Sequence, residues 1–122
     1  MIIMKLTEIV QSPTNPSSER TEHRKIENYL SSRLRGYDQI IVGQYFKFKS
    51  LEGEIDILAL KKNDYNIIIG GTIYEIKCNH TENNRKKAIA QLNKEEKYLS
   101  YVYPQAHFNK VYIAKNHVER IR

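Results

Sequence analysis

Three residues in two apolar stretches are placed to do chemistry together. GEIDILAL (53–60) sets Glu54 and Asp56 among aliphatic residues, and IYEIKC (73–78) does the same with Glu75 and Lys77. Read as strands, alternation puts Glu54, Asp56, Leu58 and Leu60 on one face of the first, with Ile55, Ile57 and Ala59 on the other. In the second, Ile73, Glu75 and Lys77 share a face opposite Tyr74, Ile76 and Cys78. On adjacent strands Asp56 and Glu75 lie side by side, with Lys77 one pleat beyond. Two carboxylates so close repel unless a cation lies between them, and oxygen ligands with retained waters suit Mg²⁺. Such a site makes a nucleophile of water at neutral pH and offsets charge developing on a phosphodiester. Lys77 is placed to hold the attacking hydroxide or move its proton.

These residues need a scaffold, and the chain predicts one. QSPTNPSS (11–18), with two prolines and four serine or threonine residues, separates a short N-terminal segment from a helix over 18–36. Ser17 or Ser18 can cap that helix, Gly36 follows its end, and Ile26, Tyr29, Leu30 and Leu34 form its apolar stripe. Strands are expected over 37–49, 53–60 and 65–77, with a turn at 61–64 and a bulge or bend at Gly70-Gly71. A second helix over 82–103, stopped by Pro104, carries the stripe Ala88, Leu92, Glu95 or Glu96, and Leu99. A last strand over 108–115 precedes a charged tail. The order α-β-β-β-α-β reads as one α/β domain, 1–122, with an extension at 1–17, a core at 18–115 and a tail at 116–122.

Composition narrows the function classes. A chain of 122 residues is long enough to bury a core without staples, and a single cysteine excludes a disulfide framework or a cysteine-based zinc site. No apolar run reaches the roughly 18–20 residues that cross a bilayer, and Lys5 and Glu8 interrupt the apolar start, so an intracellular protein without a signal peptide is expected. The net charge of +6 suits a polyanionic partner such as nucleic acid. His23, His80, His107 and His117 show no metal-binding spacing, although His80 lies close enough to Lys77 to approach a phosphate. Cys78 points opposite Lys77 and reads as a small buried residue. There is no serine or cysteine nucleophile motif and no Walker-type glycine loop.

GEID followed by YEIK resembles the PD-(D/E)XK nuclease superfamily, and the element order from 18 to 115 matches its core. The resemblance implies a restriction-endonuclease-like core, a central mixed β-sheet flanked by helices. It makes Asp56 the motif aspartate, Glu75 the (D/E) and Lys77 the lysine, with the backbone carbonyl of Ile76 as a further metal ligand. No Pro-Asp dipeptide is present. Mg²⁺ is the implied cofactor, with Mn²⁺ as substitute, and the products would carry 5′-phosphate and 3′-hydroxyl ends. Such nucleases usually add a glutamate from the first helix. Spacing to the glycine before the strand favours Glu27, whereas helical geometry places Glu22 between Ile26 and Tyr29 on the inward stripe. Arg85, Lys86, Lys87, Gln91 and Lys94, on or leading into the second helix, are the expected DNA contacts, reading backbone rather than bases.

Among the branches, the compact basic form is most like archaeal-type Holliday-junction resolvases, which are homodimers that cut four-way junctions. That implies a homodimer on branched DNA, in the cytoplasm or at the nucleoid. Two alternatives stand beside it: a restriction, flap or repair nuclease on the same core, or a DNA-binding module of that fold without turnover.

Overall fold

The computed structural model describes the backbone of residues 19–122 and the side chains from 23 onward. The 1–17 extension, the Ser17 or Ser18 cap and the Glu22 side chain lie outside the described residues. Helix α1 (Glu19–Arg33) leads into strands β1 (Gln39–Phe48), β2 (Leu51–Lys62) and β3 (Ile68–Ile76). Helix α2 (Glu82–Val102) follows, then strands β4 (His107–Ala114) and β5 (His117–Ile121). Among the described residues the architecture is α/β, with two helices on a five-stranded mixed sheet ordered β1-β2-β3-β4-β5. Only β3 and β4 are parallel, and α2 is the crossover that a parallel pair requires. No helix among the described residues is long and apolar enough to cross a membrane.

The helices cover opposite faces because adjacent strand residues alternate between two cores. Ile26 and Leu30 of α1 pack on Ile57, Ala59, Tyr74, Ile76 and Ile113. Ala88, Leu92 and Leu99 of α2 pack on Leu58, Leu60, Ile73, Phe108 and Tyr112. Each fully buried leucine contributes about 1.5–3 kcal/mol. Thr81 starts α2, its Oγ1 accepting the N–H of Asn84 at 3.0 Å. At the other end Tyr103 N–H still reaches Leu99 O, just before Pro104.

Strict alternation fails at one place in β2, and that place matters. Ile55, expected beside Ile57 and Ala59, packs instead with Leu58 and Leu60 in the core under α2. The slip coincides with Gly43 of β1, whose φ of +73° is open to glycine and strained for other residues. The β1–β2 register passes from Val42↔Ile57 to Gln44↔Ile55, leaving Gly43 and Asp56 outside the regular pairing. In β3 the expected irregularity at Gly70-Gly71 is a register shift at Lys61/Lys62 beside Gly70. Gly71 answers a different need: a β-carbon there would stand 1.9 Å from the Ala59 carbonyl oxygen.

The charged tail expected after β4 is instead a strand. Residues 117–121 pair antiparallel with β4, from Ala114↔His117 to Lys110↔Ile121. Asn116 makes the hairpin with φ of +60°, a conformation that asparagine tolerates. The polarity of this strand follows from its position at the sheet edge, where charged residues discourage pairing with other chains.

Candidate active site

Asp56 is 8% exposed and sits where the sheet opens. Pairing between β2 and β3 stops at Ile57↔Tyr74. Beyond it, Asp56 Oδ2 takes the place of a ladder acceptor and receives the Ile76 N–H at 2.8 Å. On the other side of β3, the Lys77 N–H reaches Ile113 O of β4 at 2.9 Å. The Glu75-Ile76-Lys77 run is thus held by β4, where Glu75 and Ile76 still pair with Tyr112 and Ile113, and by the Asp56 carboxylate on the side where β2 has parted.

Helix α1 supplies two groups from its buried face. His23 Nε2 lies 3.0 Å from Ile76 O and 3.4 Å from Asp56 Oδ2. A carbonyl can only accept, so Nε2 carries the proton. Nδ1 faces Glu27, 3.7 Å from Oε2. His23, Glu27 and Asp56 each bring a ligand atom within 4.8 Å of the others, and both acids are buried. The hydrogen bond to Asp56 raises the His23 pKa against the opposing effect of burial. Glu27, 7% exposed, has its pKa raised chiefly by burial, with His23 pulling the other way.

The α2 side of the sheet carries the second acidic group. Glu75 is 5% exposed; its Oε2 is 3.6 Å from Lys77 Nζ, and its Oε1 is buried without a hydrogen-bond partner. Burial first, then the charges of Asp56 and Glu95, push its pKa up to about 10. Glu95 of α2 is 0% exposed, and burial drives its pKa to about 8. Its Oε2 accepts from Gln91 Nε2 at 2.8 Å, while its Oε1 is unpartnered. Asp56 acts electrostatically on His23, Glu27, Glu75 and Glu95, so the two acidic groups meet at the opening beside it. Burial without a donor for Glu75 Oε1 and Glu95 Oε1 favours the neutral form of both acids, which is why their pKa values are raised.

Of the residues singled out from sequence, Asp56 and Glu27 lie together with His23, while Glu75 lies beside Lys77 and feels the charge of Asp56. Lys87, Gln91 and Lys94 join Glu75 and Lys77 along one open cleft, with Lys94 Nζ also on Glu52 O at 2.8 Å. Lys86 is exposed on the same helix. Arg85 is not in that cleft: its guanidinium is bidentate to Glu119 of β5, at 2.9 and 2.6 Å, and ties α2 to the sheet edge. The Ile76 carbonyl, expected to face a metal directly, is engaged by His23. His80 turns to Tyr112 Oη at 3.0 Å and stacks on His117, in the same corner as Arg85.

Sequence reasoning missed two site residues. His23 has no metal-binding spacing in the sequence, yet 100° per residue places it between Leu30 and Leu34 and one turn before Glu27. In the sequence Glu95 is a stripe position of α2 that Glu96 could equally fill. Its three apolar stripe neighbours were the signal that its carboxyl would be buried. Scanned against protein-family models the chain matches none, and a search of curated proteins finds no significant match.

Proposed function

We propose that this protein is a metal-dependent endonuclease with a restriction-endonuclease-like core, hydrolysing DNA phosphodiesters with Mg²⁺, or Mn²⁺ in its place. The observation that supports the reading is that Asp56 receives the Ile76 N–H where β2 and β3 part, between Glu75 and Lys77, which pair with each other at 3.6 Å while Glu75 Oε1 stays bare and buried. The donor set fits a hard divalent ion, since carboxylate oxygens predominate and one of them lacks any protein donor. Asp56 and Glu27 would hold it, and His23 adds a nitrogen donor that Mn²⁺ tolerates; Glu75, on which the charge of Asp56 acts, would complete the set. When bound, the ion lowers the pKa of water and neutralises charge on the phosphate.

The chain's own residues do the rest. Lys77, partly exposed beside Glu75, orients the attacking water and receives or returns its proton. The N–H of Ile76 fixes the carboxylate of Asp56, which keeps the ligand in place without relying on the ion. Lys87, Lys94 and the exposed Lys86 hold phosphates along the cleft, which Gln91 also lines. The net charge of +6 supports a nucleic-acid substrate. The resemblance to archaeal-type resolvases makes a four-way junction, cut by a homodimer inside the cell, the specific substrate reading.

Cleavage of labelled four-way junction, linear duplex and single-stranded DNA, each with Mg²⁺, tests this. The wild type should prefer the junction, and Asp56→Ala and Lys77→Ala should each lose activity by about 100-fold or more, as loss of an electrostatic or acid–base group does. Unchanged cleavage by both variants would sink the site assignment. Equal rates on junction and duplex would sink the resolvase reading alone.

A further inference from the structure

Helix α2 carries one row of residues at steps of three and four: Lys87, Gln91, Lys94, Lys97 and Tyr101. The first three line the cleft that holds Glu75 and Lys77. The row then runs into a second hollow of about 540 Å³, whose lining includes Phe48, Lys49, Leu51, Lys97, Ser100 and Tyr101. Lys94 joins the two, because its Nζ donates to Glu52 O, next to Leu51. Tyr101 follows Lys94 by about 10 Å of helix.

This hollow holds more aromatic surface than the core uses. Phe46 stacks on Tyr98 at 4.8 Å, and that pair belongs to the core under α2. Phe48 and Tyr101 belong to neither core, yet their rings lie 4.3 Å apart at 31°. Tyr101 is 67% exposed, so Phe48 backs one face of its ring and the other faces solvent. Lys49 and Lys97, both exposed, make no ion pair among the described residues. Lys49 sits in the β1–β2 turn with φ of +55°, a conformation easy for glycine or asparagine and strained for lysine. Its Nζ stands 5.2 Å from the centre of the Phe48 ring. A cation is thus kept beside the aromatic pair against the preference of the backbone.

We propose that Tyr101, backed by Phe48, is a stacking platform for an unpaired DNA base, with Lys49 and Lys97 on the flanking phosphates. It rests on the reading of the neighbouring cleft as the path of DNA. Every base has a π-face to lay on an exposed ring, and lysines attract the backbone whatever the sequence. In a duplex both faces of a base are covered by its neighbours, so the platform selects an unpaired strand. At roughly 3.4 Å per nucleotide, the stretch from Lys94 to Tyr101 spans about three nucleotides. The substrate that fills cleft and platform together is therefore branched or gapped DNA with unpaired nucleotides close to the cut.

Fluorescence anisotropy in EDTA reads binding without cleavage. The probes are labelled oligothymidylate of about 12 nucleotides and an abasic strand of equal length, which keeps the phosphates and lacks the bases. The full chain should bind thymidylate about fivefold or more tightly than the abasic strand. Tyr101→Ala should weaken thymidylate binding by about 5- to 100-fold, the range for one stacked base, and leave the abasic strand unchanged. Tyr101→Trp, which keeps an aromatic face, should bind thymidylate as wild type does. Lys97→Ala should weaken both strands alike and reduce the salt dependence by about one phosphate contact. Equal binding of the two strands by wild type, or no binding of thymidylate, overturns the proposal. So does a Tyr101→Ala variant that loses nothing, or loses both strands alike. Cleavage is scored separately. Base-dependent binding through Tyr101 without cleavage of any DNA leaves the platform standing and removes the nuclease reading, while cleavage with Tyr101-independent binding does the reverse.

Discussion

Metal-free protein should lose stability as pH rises from about 5 to about 8, opposite to the usual behaviour of carboxylates paired with cations. Glu95 is held protonated by burial up to about pH 8, and Glu75 up to about pH 10, whereas both ionise near 4.5 in the unfolded chain. In that window the folded state binds more protons than the unfolded state, so the unfolding free energy falls with rising pH. The effect is complete below pH 4.5 and disappears as pH passes the folded value. One proton contributes about 1.4 kcal/mol per pH unit, so one acid alone lowers stability by about 2–3 kcal/mol between pH 5 and 7. His23, whose pKa is also raised, adds in the same direction as pH climbs through its own value. Glu119, lowered to about 2 by Arg85 and then His117, has the opposite slope, but only as pH falls below 4.5.

Urea unfolding in EDTA across this range reads the effect directly. With a slope of about 1–3 kcal/mol per M, the midpoint should drop by about 1 M or more between pH 5 and 7. Glu95→Gln should flatten the curve and raise the midpoint above wild type near pH 8. Adding Mg²⁺ to the wild type should recover stability at the same pH, because an ion bound only by the folded state shifts the balance by mass action. A wild-type midpoint that is level or rises from pH 5 to 8 would refute the reasoning, as would an unaltered slope in Glu95→Gln.

Two further substitutions test the scaffold. Gly71→Ala sets a β-carbon 1.9 Å from the Ala59 carbonyl oxygen, so β2 and β3 must separate; a loss of about 2 kcal/mol or more in urea unfolding is expected, and a neutral outcome would contradict the packing. Arg85→Ala leaves Glu119 without its bidentate partner. Faster hydrogen exchange in β5 with little change in junction binding is expected, whereas a large loss of binding would return Arg85 to the DNA surface.

The parts of the fold legible in the sequence were those where one physical rule acts alone. Ile26, Leu30 and Leu34 mark α1 by period, and Pro104 ends α2 because the helix cannot continue through it. The strand carrying Asp56 was legible as a strand, but its facing was not. Period-two alternation assumes a regular ladder, and Gly43 with φ of +73° breaks that regularity from a neighbouring strand. β5 was hidden for a similar reason: HVERI holds two charges, and only pairing to β4 makes it a strand. Asp56, Glu75 and Lys77 could be grouped because strand spacing is short range. The contacts of His23 with Ile76, 53 positions away, and of Arg85 with Glu119 depend on how the helices dock, which local pattern does not encode.

The central claim is that the opening between β2 and β3 hydrolyses DNA through Asp56. The most direct measurement is the Mg²⁺-dependent rate on a labelled four-way junction for wild type and Asp56→Asn, a substitution close in size whose amide can still accept the Ile76 N–H through its oxygen. The expected result is junction cleavage by wild type that stops in EDTA and falls by about 100-fold or more in Asp56→Asn. A wild type that leaves the junction uncut with Mg²⁺ or Mn²⁺, or an Asp56→Asn variant that cuts at the wild-type rate, would contradict it.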